Sequence, residues 1–205
     1  MLMNRLETIA VNNAARRALQ RHYEMRTLIR LGGRVGGGRA LDIGCGSGYG
    51  SKLILDRMGA ATVDAVDPDP AMVARATRRL RRYGDAARVH AGEAEDLRGA
   101  LGAKDGTFDA VFDFLVIHHV LDWRRALAEV ARVLRDGGRF YFVEVTSVAL
   151  ARPSYRLLTD HPEQDRFGAG QFLAEMRRQG LDPGERWTTA LGSDYLLGVA
   201  ERVGG

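Results

Sequence analysis

Glycine-rich and acidic segments stand at the ends of short apolar runs, and these residues could bind a ligand. The first segment is LDIGCGSG (41–48), in which an apolar run leads into three alternating glycines. Alternating glycines let the backbone approach a ligand closely, and the amides of a following helix can receive a carboxylate or phosphate. The dinucleotide pattern G-x-G-x-x-G does not fit, because Tyr49 and Ser51 stand where it requires glycine. A tight turn without a ligand would use the same glycines.

A second segment, AVDPDPAM (65–72), follows the next apolar run. Asp67 stands where a carboxylate can accept hydrogen bonds from both hydroxyls of a ribose, and Pro68 offers an apolar face to a purine. Asp67 and Asp69 could instead cap the helix that begins at Pro70, a role that Asp69 fits better.

A third segment, GEAEDL (92–97), follows the third apolar run. A carboxylate from Glu93 or Glu95, beside a backbone amide near Ala94, could read the edge of an adenine ring. The alternative is an acidic turn that caps a short helix.

Short apolar runs alternate with amphipathic stretches and predict the elements that position these segments. We expect strands at 39–44, 62–67, 88–92, 108–117 and 139–145, helices at 4–31, 51–59, 70–84, 122–138 and 170–180, and a terminal hairpin from 185–191 and 195–203. This alternation predicts a parallel sheet with helices on both faces, which binds ligands at the carboxyl ends of its strands. The arginines at 75, 78, 79, 81 and 82 indicate a solvated helix face.

Five segments in this order, ALDIGCGSG, AVDPDPAM, VHAGEAEDL, FDAVFDF and LAEVARVLRDGGRFYFVEV, carry a family resemblance between residues 39 and 145. The chain resembles the class I S-adenosylmethionine-dependent methyltransferases, most of all the small-molecule branch with the ubiquinone and menaquinone C-methyltransferases. The resemblance implies an α/β fold with a Rossmann-like, doubly wound, seven-stranded sheet, mostly parallel with an antiparallel last strand, in three α/β/α layers. Asp136 departs from the family, which usually has proline there.

The resemblance also implies which residues hold the cofactor, S-adenosyl-L-methionine. Asp42 and the glycine loop would contact the methionine part, Asp67 the ribose and residues 93–95 the adenine edge. The full set comprises Asp42, Gly44, Cys45, Gly46, Asp67, Pro68, Met72, Glu93, Ala94, Glu95, Asp113 and Phe114. Cys45 is expected to be a small packing residue within this loop rather than a nucleophile.

Two histidines follow the fourth strand, near the place where the family holds its methyl acceptor. His118 or His119 could take a proton near neutral pH, and His119 is favoured. The alternative is a structural pair. The side chains expected to contact the acceptor are Tyr23, Phe114, His119, Glu144, Tyr155 and His161.

We expect one domain over residues 1–205. Its parts would be an N-terminal helical cap (1–38), a cofactor-binding core (39–145), a lid (146–168), and a terminal helix and hairpin (169–205).

Composition excludes several classes. Cys45 is the only cysteine, so a multi-cysteine zinc or iron–sulfur site is excluded, and no metal is expected. The net charge of +4 is diffuse, which does not favour nucleic-acid binding. We see no membrane-spanning run and no signal peptide, and expect a cytoplasmic protein of undetermined oligomeric state.

The leading hypothesis is methyl transfer by in-line displacement to a small organic acceptor, with C- or O-methylation favoured and an apolar or aromatic acceptor expected. The fourth strand ends in DFLVIHH and lacks the Asn/Asp-Pro-Pro-aromatic tetrapeptide of nucleic-acid amino-methylases. The alternatives are an S-adenosylmethionine-binding protein without catalysis, a methylase of a nucleic acid or protein, and a nicotinamide-dependent oxidoreductase.

Overall fold

A single mixed sheet forms the centre of the computed structural model, which describes residues 13–150 and 166–204. Its strands are β1 (Arg39–Ile43), β2 (Thr62–Asp67), β3 (Ala87–Ala91), β4 (Phe108–Phe114), β5 (Leu134–Val145), β6 (Leu181–Asp182), β7 (Trp187–Ala190) and β8 (Tyr195–Arg202). The order is β3-β2-β1-β4-β5-β8-β6, with β7 also paired to β8. Strands β1 to β5 run parallel, and β8 runs antiparallel to β5.

Helices flank both faces of this sheet. They are α1 (Ala14–Leu19, a π-helical turn Gln20–Glu24, and Met25–Gly32), α2 (Tyr49–Leu53 with a π-helical turn Ile54–Met58), α3 (Pro70–Leu80), α4 (Leu97–Leu101), α5 (Trp123–Val133), α6 (Ser147–Leu150) and α7 (Ala169–Arg178). This arrangement confirms the predicted doubly wound, mostly parallel α/β sheet with its antiparallel last strand. Within the described residues, no helix is both long and apolar enough to cross a membrane.

The strand order reverses between β1 and β4, which pair with each other. From β1 the sheet continues through β2 to β3, and from β4 it continues in the other direction through β5 to β8. Chain crossovers leave a crevice at such a point, and ligands of open α/β sheets bind there. The ends of β1, β2 and β4 therefore present the glycine loop, Asp67 and the turn after Phe114 to one crevice.

Two apolar clusters, one on each face, hold the layers together. One joins α5 and α7 to the sheet through buried side chains such as Trp123, Phe142 and Phe172. The other joins α1 and α2 to the opposite face around Phe112 and Tyr141, whose rings stack 4.6 Å apart. Burial of large side chains on both faces explains why the strands are apolar along most of their length.

The structure corrects two predicted helix boundaries and the predicted number of strands. The helix predicted over 122–138 ends at Val133, because Leu134 is extended (φ −73°, ψ 135°) and buried as the first residue of β5, opposite Phe108. The helix predicted from Ser51 begins at Tyr49. Eight strands are present among the described residues instead of seven, because the two-residue strand β6, which the sequence does not predict, also pairs with β8.

Candidate functional site

A cavity of about 320 Å³ lies at the carboxyl ends of the strands. Its wall comes from α1, the loops after β1, β2 and β3, and the turn after β4. The lining residues are Arg16, Gln20, Asp42, Gly44, Cys45, Gly46, Ser47, Tyr49, Gly50, Asp67, Pro68, Asp69, Gly92, Glu93, Ala94, Glu95, Phe114, Leu115, Val116, His119, Val120 and Leu121. A concave site of this size is in the range that binds small molecules and cofactors.

The glycine loop turns sharply between β1 and α2. Gly44 has φ +57°, and a Cβ there would collide with the Val116 side chain from the turn after β4. Only glycine meets both demands at no steric cost, since it has no Cβ and populates positive φ freely. The loop and the β4 turn therefore approach each other closely at the centre of the cavity.

Asp67 fixes this loop from the end of β2. Its Oδ2 accepts a hydrogen bond from the Gly46 amide at 2.7 Å, and its Oδ1 accepts one from the Asp69 amide at 2.9 Å. Burial raises the pKa of Asp67, and the two amide bonds partly oppose that shift. Asp69 in turn accepts from the Ala71 amide at 2.8 Å, which confirms its predicted capping role before Pro70.

Asp42 is a second buried carboxyl at the end of β1. Its Oδ2 accepts a hydrogen bond from Ser51 Oγ at 2.5 Å. Burial raises the pKa of Asp42 to about 7, and the nearby carboxyl groups of Asp67 and Asp113 add to the increase. Because Asp42 also lines the cavity, it can accept a hydrogen bond from a ligand or gain a cationic partner there.

The loop after β3 brings Glu93, Ala94 and Glu95 to the same wall. Burial raises the pKa of Glu95, and the neighbouring Glu93 charge raises it further. With Asp42, Asp67 and Asp69, these residues make the side of the cavity along β1, β2 and β3 strongly acidic.

The opposite side is formed by the turn after β4. Leu115 has φ +66°, a conformation that is strained for a branched side chain and is observed mostly where the surrounding structure enforces it. The turn places Leu115, Val116, His119 and Val120 on the wall, with Leu121 69% exposed at its rim. This side of the cavity is apolar apart from the His119 imidazole.

Glu144 lies beneath this turn, fully buried at the end of β5. Its Oε1 accepts from the amides of Ile117 at 2.6 Å and Val116 at 3.1 Å, and its Oε2 accepts from the Val145 amide at 3.1 Å. His118 Nδ1 lies 2.5 Å from Oε2. The carboxylate thus holds the turn by its main chain and by the side chain of His118.

The charge states of this buried group follow from its contacts. Burial lowers the pKa of His118 to about 3, so its imidazole is neutral. Burial and the adjacent Glu144 hold the pKa of Asp113 well above its usual range, which favours the protonated form of its carboxyl group. The ring of His118 stacks on that of His119 at 4.1 Å.

The structure brings most of the predicted cofactor set to the cavity wall: Asp42, Gly44, Cys45, Gly46, Asp67, Pro68, Glu93, Ala94, Glu95 and Phe114, together with His119. Five predicted residues lie elsewhere. Met72 is buried in α3, Asp113 is buried in β4, Tyr23 is 41% exposed on α1, and His118 and Glu144 are buried beneath the turn. Tyr155 and His161 lie outside the described residues.

Two further residues, Arg16 and Gln20, reach the wall from α1 and are not indicated by any sequence pattern. Arg16 Nη1 lies 3.0 Å from the buried Glu24, eight residues further along the helix. In an ordinary α-helix, side chains eight residues apart point in different directions. The π-helical turn between Arg16 and Glu24 adds one residue and brings both side chains onto one face. Arg16 is the only arginine or lysine among the described lining residues.

Among residues 13–150 and 166–204, no group of three or more His, Cys, Asp or Glu side chains is arranged to hold a metal ion. The cavity instead offers hydrogen-bond acceptors, loop amides and one guanidinium. These groups match a ligand with a ribose, an ammonium and a carboxylate.

The sequence is similar to those of known methyltransferases. The model of a family described as "Methyltransferase domain" matches residues 41–142. A Mycolicibacterium smegmatis protein named as an S-adenosylmethionine-dependent methyltransferase is 39% identical over 111 residues, which cover 54% of this chain but only 39% of that protein. YrhH of Bacillus subtilis (strain 168), named as a methyltransferase, is 31% identical over 128 residues, which cover 62% of this chain and 69% of YrhH.

A solved structure shows the same fold. The 1,6-didemethyltoxoflavin-N1-methyltransferase of Burkholderia thailandensis, with bound 1,6-didemethyltoxoflavin and S-adenosylhomocysteine, has a TM-score of 0.66 at 21% identity and covers 97% of this chain and 86% of its own. The match of the family model and the identity to YrhH together show that the chain belongs to the class I methyltransferases, whose cofactor is S-adenosyl-L-methionine.

Proposed function

We propose that this chain transfers a methyl group from S-adenosylmethionine to a small apolar or aromatic acceptor, by C- or O-methylation. The observation that carries the proposal is the division of one cavity into an acidic side along β1, β2 and β3 and an apolar side along the turn after β4. Each side suits one of the two reactants.

The acidic side suits the cofactor. Asp67 is buried with both oxygens already oriented by amides, so its remaining lone pairs would accept from the ribose hydroxyls. Asp42 would accept from the methionine ammonium, and Arg16 would pair with the methionine carboxylate. Glu93 and Glu95 stand where the adenine edge would lie. This matches the resemblance for all these residues except Arg16.

The apolar side suits the acceptor. Leu115, Val116, Val120 and Leu121 offer carbon surface and no charge. The volume of about 320 Å³ is at the small end of ligand cavities and favours a small acceptor over a macromolecular one. The Burkholderia methyltransferase, which binds a small molecule together with S-adenosylhomocysteine, supports this choice.

His119 is positioned to take a proton from the acceptor. When bound, S-adenosylmethionine supplies a methyl group on a sulfonium, and in-line displacement leaves neutral S-adenosylhomocysteine. A phenol or a carbon acid must lose its proton as the new bond forms, and an imidazole can accept it near neutral pH. The role of the remaining wall is to align the acceptor and exclude water.

Incubation with S-adenosylmethionine and a panel of phenols, enolizable carbon acids and amines tests the proposal, with products read by mass spectrometry. We expect methylated phenols or carbon acids. For the best acceptor, His119→Gln should lower kcat by about a hundredfold or more, the usual contribution of a general base, and leave S-adenosylhomocysteine affinity within about twofold.

His90→Gln is the matched control, because His90 lies in β3 against Asp64 and not on the cavity wall. It should keep full activity. Methyl transfer to nucleic acid or protein with none to the panel would contradict the small-acceptor proposal. Cofactor binding without transfer to either class would indicate a binding protein instead.

A further inference from the structure

Arg79 departs from the solvated face that the sequence predicted for the arginines of α3. Arg75, Arg78, Arg81 and Arg82 are exposed, whereas Arg79 is half-buried and turns back toward the glycine loop. Its Nη1 donates to the Ser47 carbonyl at 2.6 Å and to Ser47 Oγ at 2.7 Å. The guanidinium also lies over the Tyr49 ring, 5.8 Å from its centroid.

The partners of Arg79 belong to the cofactor cavity. Ser47 and Tyr49 both line it, on either side of Gly48. Gly48 has φ +77°, and a Cβ there would lie 3.0 Å from Ala76 Cα, so α3 already packs directly against the loop one turn before Arg79. Helix α3 therefore contacts the loop at two points, by packing at Ala76 and by hydrogen bonds at Arg79.

This arrangement connects the two halves of the cofactor site. Helix α3 begins directly after Asp67 and Pro68, and Asp67 holds the Gly46 amide from the other side of the loop. The loop is thus held between a carboxylate that precedes α3 and a guanidinium near its end. A loop with three glycines has much conformational freedom to lose, so contacts that hold it in place before the ligand arrives lower the cost of binding.

Among the described residues, Arg79 is held by hydrogen bonds and not by an ion pair. Burial lowers the pKa of Arg79, and the nearby cations Arg17 and Arg78 lower it further. Its hydrogen-bond acceptors are the neutral oxygens of Ser47. A charged donor makes stronger hydrogen bonds than a neutral one, which offsets the partial loss of water.

We propose that Arg79 is a positioning residue that holds the glycine loop in the shape that binds the cofactor. It acts through Ser47 and Tyr49 and does not itself line the cavity. The inference depends on the cofactor site and not on the identity of the acceptor.

Calorimetric titration with S-adenosylhomocysteine tests this role in the full chain, for wild type, Arg79→Ala, Arg79→Lys and Arg78→Ala. We expect about tenfold weaker binding for Arg79→Ala. Arg79→Lys should recover part of the loss, because an ammonium can still donate to the Ser47 carbonyl. Arg78→Ala is the matched control, one residue away and exposed, and should stay within about twofold of wild type.

Thermal unfolding of the ligand-free variants separates positioning from simple stabilisation. Affinity for Arg79→Ala within twofold of wild type would overturn the proposal, whether or not its unfolding temperature falls. If Arg79→Ala does not fold, Arg79→Gln is titrated against the same limits. A wild type that binds no S-adenosylhomocysteine would overturn the proposal together with the cofactor site.

Discussion

Two buried carboxyl groups at neighbouring strand ends show how partners decide the role of a side chain. Asp67 is held by two main-chain amides, which stabilise its charged form. Asp42 accepts a hydrogen bond from the Ser51 hydroxyl and lies near two other carboxyl groups. The same residue type is therefore prepared for an uncharged ribose in one place and for a cation in the other.

Asp42 should make the stability of the ligand-free protein depend on pH. Burial raises its pKa to about 7 from the usual 3.8, so the stabilising contribution is complete below about pH 4 and is lost as pH rises through 7. Asp42→Asn removes this titration. Relative to wild type, the variant should gain up to roughly 4 kcal/mol in the free energy of unfolding between pH 4 and pH 8.

Urea unfolding at pH 4, 6 and 8 measures this difference, with the exposed Asp85→Asn as control. A difference between wild type and Asp42→Asn that stays constant across this range would show that Asp42 ionises normally in the folded state.

At the scale of elements, the turn after β4 has the least regular backbone at the site and the most buried support. Leu115 is left-handed, and the amides that follow it converge on Glu144 from β5. Sequence reasoning placed Glu144 in contact with substrate because it stands at the correct edge of the sheet. The structure instead places it one layer below the cavity, where it shapes the wall.

Glu144→Gln tests this support, because both carboxylate oxygens accept from N–H groups. A glutamine NH₂ in place of Oε1 would face the amides of Val116 and Ile117, and in place of Oε2 it would face the amide of Val145, so buried hydrogen bonds are lost in either orientation. We expect the free energy of unfolding to fall by roughly 1–3 kcal/mol, measured in urea.

The control for that substitution is Glu201→Gln, at an exposed carboxylate in β8. Equal stability of Glu144→Gln and wild type would mean that the turn holds its shape without the carboxylate.

At the scale of the whole molecule, the sequence predicts the sheet well because its signals are local. Apolar strands, glycine at the turns and a cap at Asp69 are each set within a few residues. Strand β6 escapes prediction because it has only two residues and depends on pairing with β8, whereas β7 lies within the strand predicted at 185–191.

The sequence likewise predicts only some of the residues of the site. Residues at the end of a strand or just after it, such as Asp67 and Glu93, reach the cavity as the fold class requires. Arg16 reaches it through a π-helical turn, and Arg79 reaches the loop by its rotamer and the approach of α3. Neither geometry leaves a pattern in the sequence. Glu144 and His118 were expected at the site, but burial depth behind a strand end is a tertiary property.

If this cavity binds S-adenosylmethionine, Asp67 should hold the ribose. Calorimetric titration with S-adenosylhomocysteine, with NAD as the comparison ligand and Asp67→Ala alongside, is the measurement that decides this. We expect micromolar binding of S-adenosylhomocysteine, none of NAD, and a loss of roughly 1–3 kcal/mol of binding free energy in Asp67→Ala. No binding of S-adenosylhomocysteine, or equal binding by wild type and Asp67→Ala, would contradict it.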